Sequence, residues 1–272
     1  DYNSRPGNVN TPVIFAAPVQ LATMGDFETW VALSGGSNWG GCDVYVSADG
    51  NTYKLVGRQN GASRQGLLTA TFPISADPDT TNTCSVNLTE SFGTLMSGTQ
   101  SDADLGHSLC FVDGELISYK TAVLTSTYNY DLKDYIRRGQ YGTTINSHPS
   151  GSMFARLDNG IFKYPYDKSQ IGKTFYIKFV SFNIYGGGYQ TLSEVPPYAH
   201  FVVGPSLPSN VTGFTVTQNL DVTIFRWDAV DDYALKGYDI LYGPRGQGIN
   251  TSTFLTESAA GTEMTNANVP SG

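Results

Sequence analysis

The sequence predicts an all-β protein made of β-sandwich or β-barrel-like domains with short hairpins. Apolar and polar residues alternate with a period of two along the chain, and no stretch of about a dozen residues has a clean apolar period of 3.6 residues. The 272 residues include 30 glycines and 13 prolines, only 15% are charged and 12% are aromatic. This composition favours short strands joined by tight turns.

Two Asp-Gly pairs predict β-hairpins. The central residues of a tight hairpin turn need a positive φ, which aspartate and glycine tolerate better than other residues. Each pair also joins two short runs in which apolar residues alternate. The pairs and their flanking runs are Asp49-Gly50 between residues 42–47 and 52–56, and Asp113-Gly114 between residues 109–112 and 115–119.

A later strand and a proline-marked junction organise the second half of the chain. Residues 174–183 predict a strand with Phe175, Ile177 and Phe179 on one face, and the three glycines at 186–188 predict a flexible loop after it. The run from Gly204 to Ser209 contains two prolines and suits an extended connector. We therefore expect one β region over residues 1–204, with a possible sub-boundary near residue 160, and a second domain over residues 205–272.

The second domain has an alternating core pattern. Phe225 and Trp227 alternate on its second predicted strand, and Tyr238 and Ile240 alternate on its third. Together with a proline before the first strand, at residues 211–216, this pattern resembles the start of a fibronectin type III sandwich. The resemblance implies that the four side chains form the sandwich core. Such a sandwich needs about 100 residues, so we expect residues 205–272 to hold an incomplete domain.

Residues 160–204 resemble the end of a sandwich of the same kind. The spacing from Phe175 to Asn183 is that of the penultimate strand, where the first position is usually a tyrosine. Phenylalanine lacks the hydroxyl group that would form a tyrosine corner. The resemblance thus implies a sandwich-like segment without that corner.

Three blocks of sequence carry a resemblance to a known family. They are residues 30–35 continuing into 39–50, residues 112–119, and residues 137–143 followed by His148 and residues 156–158. These blocks resemble phage tail proteins, a family that includes the large hub proteins of gene-transfer agents and, more distantly, lambda-type host-specificity proteins. The resemblance continues through residues 172–183 and covers most of the first 204 residues.

The family resemblance implies a structural and host-attachment component of a tail tip or baseplate hub. Such a protein belongs to the virion and is extracellular to the host during attachment. Its implied partners are other tail and baseplate proteins, copies of itself in a trimer, and a host cell-surface receptor or glycan. The family supplies neither catalytic residues nor a cofactor. An alternative is an accessory carbohydrate-binding segment of a secreted bacterial enzyme or a bacterial surface adhesin, because sandwich folds do not determine function.

Two pairs of residues are candidates for specific roles. Tyr185 and Tyr189 flank the three glycines and are candidates for receptor or ligand contact, since exposed aromatic side chains on loops often bind partners. Arg137 and Arg138 begin the third family-like block, and we expect them to act as a structural clamp on a carboxylate or the backbone. Trp30 and Trp39 adjoin alternating strands, which favours core packing over sugar stacking.

Charge and hydropathy argue against two classes of partner. The net charge of −8 repels phosphate backbones, so we expect no nucleic-acid partner. A membrane-spanning helix needs roughly 18 or more consecutive apolar residues, and the sequence contains no such run.

The residues that could carry chemistry are scattered. The three cysteines and three histidines do not fall in metal-binding spacings, and a G-x-S-x-G nucleophile motif is absent. Asp113 and Glu115 could be imagined as a glycosidase pair, but they adjoin a hairpin glycine, which favours a turn. We therefore expect buried thiols, no metal, no cofactor and no catalysis. The cysteines are Cys42, Cys84 and Cys110, and the histidines are His107, His148 and His200.

Overall fold

The computed structural model describes residues 1–24, 27–204, 210–219, 222–230, 237–242, 253–259 and 263–266. The chain divides into two compact units, residues 1–204 and 205–272. The all-β prediction is confirmed, because the helices found in the described residues are very short. They are one α-helix, α1 (Gln100–Asp104), and three 3-10 turns at Val19–Leu21, Gln140–Gly142 and Lys168–Gln170.

The described part of the first unit is made of antiparallel strands. In chain order they are β1 (Val13–Ala16), β2 (Glu28–Ala32), β3 (Trp39–Ser47), β4 (Lys54–Asn60), β5 (Gln65–Leu68), β6 (Cys84–Asn87), β7 (Cys110–Val112), β8 (Glu115–Ser126), β9 (Asn129–Arg137), β10 (Met153–Arg156), β11 (Phe162–Pro165), β12 (Thr174–Asn183) and β13 (Tyr198–Phe201).

Seven of these strands form a sandwich of two sheets. One sheet has the order β1-β2-β11 and the other has the order β13-β12-β3-β4. The alternation seen in the sequence directs Val44 of β3 and Phe179 of β12 into the core, and these two residues are paired across the strands. Val31 and Leu33, in and just after β2, join the same apolar cluster. The sandwich is therefore held by burial of the inward-facing residues of both sheets.

The other six strands close into a barrel with the order β10-β5-β6-β9-β8-β7. Its interior is filled by apolar side chains, among them Phe72, Tyr119 and Phe154, which are almost wholly buried. Cys84 and Cys110 belong to this core, whereas Cys42 lies in the sandwich core. All three cysteines are buried free thiols, as predicted. Burial raises the pKa of each thiol, so the thiolate form is disfavoured.

The barrel is inserted between β4 and β11 of the sandwich. Residues 160–204 do not form a unit of their own, because β11 pairs with β2 and β12 pairs with β3. The sub-boundary expected near residue 160 is thus the end of the inserted barrel. A second boundary, near residue 62, marks its start and was not predicted from the sequence.

A shared apolar cluster joins the barrel to the sandwich. Phe15 of β1 stacks on Phe111 of β7 with ring centroids 4.2 Å apart. Trp30 of β2 and Leu116 of β8 lie in the same cluster and are buried. The first sheet of the sandwich therefore packs against the barrel as well as against the second sheet.

Both predicted hairpins are present. The β7–β8 turn has two central residues, Asp113 with φ of 41° and Gly114 with φ of 94°, and Val112 pairs directly with Glu115. The β3–β4 turn is held by the Asp49 carboxylate, whose Oδ1 accepts N–H groups of Asn51 and Thr52 at 2.9 and 2.8 Å. Local turn chemistry therefore determines both connections.

The described strands of the second unit form two small antiparallel sheets. Its described strands are β14 (Thr215–Asn219), β15 (Val222–Arg226), β16 (Tyr238–Tyr242), β17 (Thr253–Ala259) and β18 (Glu263–Asn266). They form one sheet of order β14-β15-β18 and one β16-β17 pair. Phe225, Trp227 and Ile240 are buried together, and Tyr238 packs against them.

The first strand of this unit begins later than the sequence predicted. Residues 210–214 precede β14 instead of starting it. Asp228 donates its backbone N–H to the carbonyl of Thr212 and accepts the Thr212 hydroxyl, which holds this segment outside the ladder. Gly213 has a φ of 63°, which a strand residue does not adopt.

Candidate functional site

A buried guanidinium lies inside the barrel. The side chain of Arg138 is 0% exposed. Its Nε and Nη2 donate to Oε1 and Oε2 of Glu115 at 2.7 and 2.9 Å. It also donates to the carbonyl groups of Pro73 and Asn146 at 3.0 and 2.9 Å, and the Phe72 ring lies 4.0 Å from the guanidinium carbon. Arg138 thus binds a carboxylate with two parallel hydrogen bonds and binds the backbone with two others.

The partner carboxylate of Glu115 is saturated with donors. It accepts the backbone N–H groups of Gly139 and Asn146, and His148 Nε2 lies 2.8 Å from Oε2. Burial would raise the pKa of Glu115, but the hydrogen bonds from Arg138, His148 and Gly139 outweigh it and lower the pKa to about 2. Glu115 is therefore ionised at neutral pH, with its oxygens already engaged.

Asp79 completes this cluster, which we call the barrel cluster: Asp79, Glu115, Arg138 and His148. Asp79 Oδ2 lies 3.4 Å from Arg138 Nη1 and is buried. Burial raises the pKa of Asp79, but hydrogen bonds from Asn82 and Thr81 outweigh it and leave the pKa lowered. Because every member is buried and paired, the cluster suits a structural role and offers no site for a substrate.

The hairpin explains how Glu115 enters the barrel. Glu115 is the first residue of β8, where Ile117 and Tyr119 follow on the same face and are buried. The period of two therefore points the carboxylate inward. Asp113 lies in the exposed turn. Since Glu115 is enclosed by donors and Asp113 is at the surface, the two carboxylates do not form an acid/base pair.

Arg137 is the last residue of β9, and its side chain is partly exposed. Its guanidinium binds Asp77 with Nη2 at 2.9 Å and Asp104 with Nη1 at 2.8 Å. The hydrogen bonds from Arg137 and Tyr135 lower the pKa of Asp104. Arg137 therefore ties the end of α1 to the barrel wall, at a site open to solvent.

The two candidate contact tyrosines lie on the loop after β12. Tyr185 is 58% exposed and Tyr189 is 42% exposed. The loop is more restrained than its three glycines predict, because Asn183 Oδ1 accepts the N–H groups of Tyr185 and Gly187 at 2.9 and 3.0 Å. Asn183 Nδ2 donates to the carbonyl groups of Tyr2 and Ser4, both at 2.8 Å. One amide side chain thus fixes the loop to the N-terminal segment.

Tyr189 is further positioned by its neighbours. Its ring lies 5.5 Å from the Phe182 ring, and the Arg58 guanidinium lies 5.7 Å from the Tyr189 ring centroid. Arg58 is itself held by Asp43 at 2.6 Å. Tyr185 is thus the more exposed of the two residues, whereas the Tyr189 ring packs against Phe182 and Arg58.

Sequence reasoning missed the roles of three residues in these arrangements: Asp79, Glu115 and Asn183. Glu115 had a detectable signal, because a charged residue on the inward face of a predicted strand requires a partner. The partners of Asp79 and Asn183 are set by chain segments that meet only in the folded protein. Trp30 and Trp39 are buried in cores, and their indole N–H groups donate to Glu28 and Ser181.

In the described residues, the His, Cys, Asp and Glu side chains do not gather in groups of three that could hold a metal ion. None of the helices in this part of the chain has the length and apolarity to cross a membrane.

Comparisons with known proteins give one family match. Residues 63–155 match the family described as "Rcc01698-like, C-terminal". No curated protein matches. Among solved structures, the FN1–FN3 domains of chicken CNTN1 are similar over 98% of this chain and 90% of that chain, with 9% identity and a TM-score of 0.21, which is too low to relate the two folds. The family match therefore coincides with the inserted barrel and its buried cluster.

Proposed function

We propose that this protein is a structural and host-attachment component of a phage or phage-like tail tip or baseplate hub. It acts by contact with neighbouring proteins and a cell surface, without turnover or a cofactor. Its place is in the virion, and it is extracellular to the host during attachment.

One observation carries the proposal. Glu115 belongs to the family-like block at residues 112–119, whereas Arg138 and His148 belong to the block that begins at residue 137. These blocks are distant in sequence, yet their side chains form the barrel cluster. The residues that carry the resemblance to tail proteins are thus the ones that hold the barrel together, which favours a scaffold over an enzyme.

The loop after β12 supports the attachment part of the proposal. Tyr185 and Tyr189 present aromatic surface on a loop that Asn183 already holds in place. A restrained loop loses less conformational entropy on binding than a free one. Tyrosine also combines apolar area with a hydroxyl group, which suits contact with a receptor or glycan.

We propose that three copies assemble around the tail axis, in contact with other tail and baseplate proteins. A threefold arrangement would place three copies of the tyrosine loop near one cell surface. Multivalent contact raises the overall affinity without any new interaction in a single copy.

Imaging of intact particles tests the proposal. Particles from a bacterium that encodes this chain would be reconstructed by electron microscopy with threefold averaging, and the 1–204 unit would be fitted to the tip density. We expect three copies at the central tip. Six copies around the tube, or absence of the chain from the tail, would overturn the proposal and favour a secreted-enzyme module or an adhesin.

A further inference from the structure

The two sheets of the sandwich leave a cleft with a volume of about 480 Å³. It lies where the β3–β4 turn approaches the residues that follow β11. We call it the sheet cleft and define it by Lys54, Tyr164, Tyr166, Asp167, Gln170 and Phe175, which line it. Pockets for small molecules are usually about 300–1,000 Å³ in volume, so the sheet cleft has room for a small ligand.

Three aromatic rings form the inner part of the sheet cleft. Phe175 is buried, and the rings of Tyr164 and Tyr166 meet it edge to face, with centroids 5.6 and 5.8 Å away. Phe175 packs against both tyrosines, and Phe27 also stacks on Tyr166, with ring centroids 5.9 Å apart. Tyr164 and Tyr166 are half-buried, and part of each lines the cleft. Rigid aromatic surface of this kind favours ligands with a flat apolar face.

Five polar side chains surround these rings. The hydroxyl groups of Tyr164 and Tyr166 form no hydrogen bond with another described residue, and neither do the side chains of Lys54, Asp167 and Gln170. Burial raises the pKa of both phenols, so they remain protonated donors at neutral pH. Lys54 and Asp167 are exposed and the other three groups are half-buried, so that all five can exchange water for the hydrogen bonds of a ligand.

We propose that the sheet cleft binds one pyranose unit of a saccharide. A pyranose ring offers a face of C–H groups to the tyrosines and hydroxyl groups that both donate and accept hydrogen bonds. The cleft provides the matching set, because Lys54 donates, Asp167 accepts, and the tyrosine hydroxyls and the Gln170 amide do both.

Other ligand classes fit the sheet cleft less well. A purely apolar ligand would remove water from five polar groups without replacing their hydrogen bonds. A phosphate or other anion would meet the carboxylates of Asp49 and Asp167, which also line the cleft, against the single cation of Lys54. A neutral ligand rich in hydroxyl groups avoids both costs.

This inference rests on the geometry of the cleft and is independent of the tail-tip proposal. The cleft lies at the start of β12, and the tyrosine loop follows its end. Saccharide binding by the purified chain and the position of the chain in a particle are separate measurements, so either can fail alone.

Saturation-transfer NMR on the purified 272-residue chain tests the inference. The probes are D-glucose, D-galactose and N-acetyl-D-glucosamine, with sorbitol as a linear polyol that lacks a rigid C–H face. We expect saturation of the ring C–H protons of at least one sugar and none for sorbitol. Tyr166→Ala should weaken that binding about tenfold, and Gln170→Ala about fivefold through one lost hydrogen bond.

Tyr198→Ala is the matched control. Tyr198 is also half-buried against the sandwich core and packs on Phe179, but it does not line the cleft. Its loss should leave sugar binding unchanged. If circular dichroism shows that Tyr166→Ala does not fold, sugar binding by Gln170→Ala and Asp167→Ala tests the inference instead. Saturation of none of the sugars, or wild-type affinity in the cleft variants, would overturn the inference.

Discussion

At the scale of single residues, two adjacent arginines have opposite environments. Arg138 is enclosed in the barrel with Glu115, whereas Arg137 binds Asp77 and Asp104 where water reaches all three side chains. Removing one partner of a buried pair leaves an uncompensated charge, but a surface pair contributes little because water screens it. The two positions therefore provide a test in which the residue type is the same and the positions are adjacent in the chain.

We predict that Arg138→Ala destabilises the protein by about 3–5 kcal/mol, because Glu115 remains buried without its main donor. Arg137→Ala should cost no more than about 1 kcal/mol. Urea unfolding followed by circular dichroism measures both changes. Equal losses for the two variants would contradict the structural role assigned to the barrel cluster.

A second prediction at this scale concerns the stability of the folded protein at low pH. The pKa of Glu115 is lowered in the folded protein to about 2 from 4.5. Its contribution, about 3 kcal/mol, is therefore present above pH 4.5 and lost as the pH falls towards 2. Urea unfolding between pH 7 and pH 2.5 should show that Glu115→Gln is less stable than the wild-type protein at pH 7. The difference in their free energies of unfolding should narrow as the pH falls. A difference that does not change with pH would contradict this prediction.

At the scale of elements, the hairpins depend on turn conformation. Gly114 has a φ of 94°, and a Cβ atom placed there would meet nothing within 4 Å. Any cost of a side chain at this position is therefore backbone strain, without a steric clash. The turn also sets the register that directs Glu115 inward, so that local conformation and the buried cluster depend on one another.

We predict that Gly114→Ala destabilises the protein by about 1–2 kcal/mol, since alanine tolerates a positive φ poorly. Gly36→Ala is the matched control, because Gly36 also has open space around it but lacks a positive φ. Thermal unfolding compares the two variants. If Gly36→Ala were the more damaging change, the turn would not be the source of the effect.

At the scale of the whole molecule, the first unit is a barrel inserted into a sandwich. The two parts share the apolar cluster that contains Phe15, Trp30 and Leu116. Opening one part would expose apolar surface of the other, at about 25 cal/mol for each Å². The sandwich and the barrel should therefore unfold together, although the barrel alone matches a family.

Buried cysteines provide the measurement for this prediction. Cys42 reports on the sandwich core, and Cys84 and Cys110 report on the barrel core. In urea, pulsed thiol labelling read by mass spectrometry should show all three cysteines becoming reactive at the same denaturant concentration. Labelling of the barrel cysteines at a clearly lower concentration than Cys42 would show that the inserted barrel unfolds independently.

The sequence by itself determined the all-β class, both Asp-Gly hairpins and the inward face of β12. These features depend on neighbours a few residues away, through turn conformation and the period of two. Only the tertiary structure decided that residues 160–204 complete a sandwich begun before residue 62, and that Glu115 is the carboxylate bound by Arg138. It also decided that Tyr164, Tyr166 and Gln170 line one cleft. Such contacts join segments that are far apart in the chain, and no local propensity specifies which distant strands will pair.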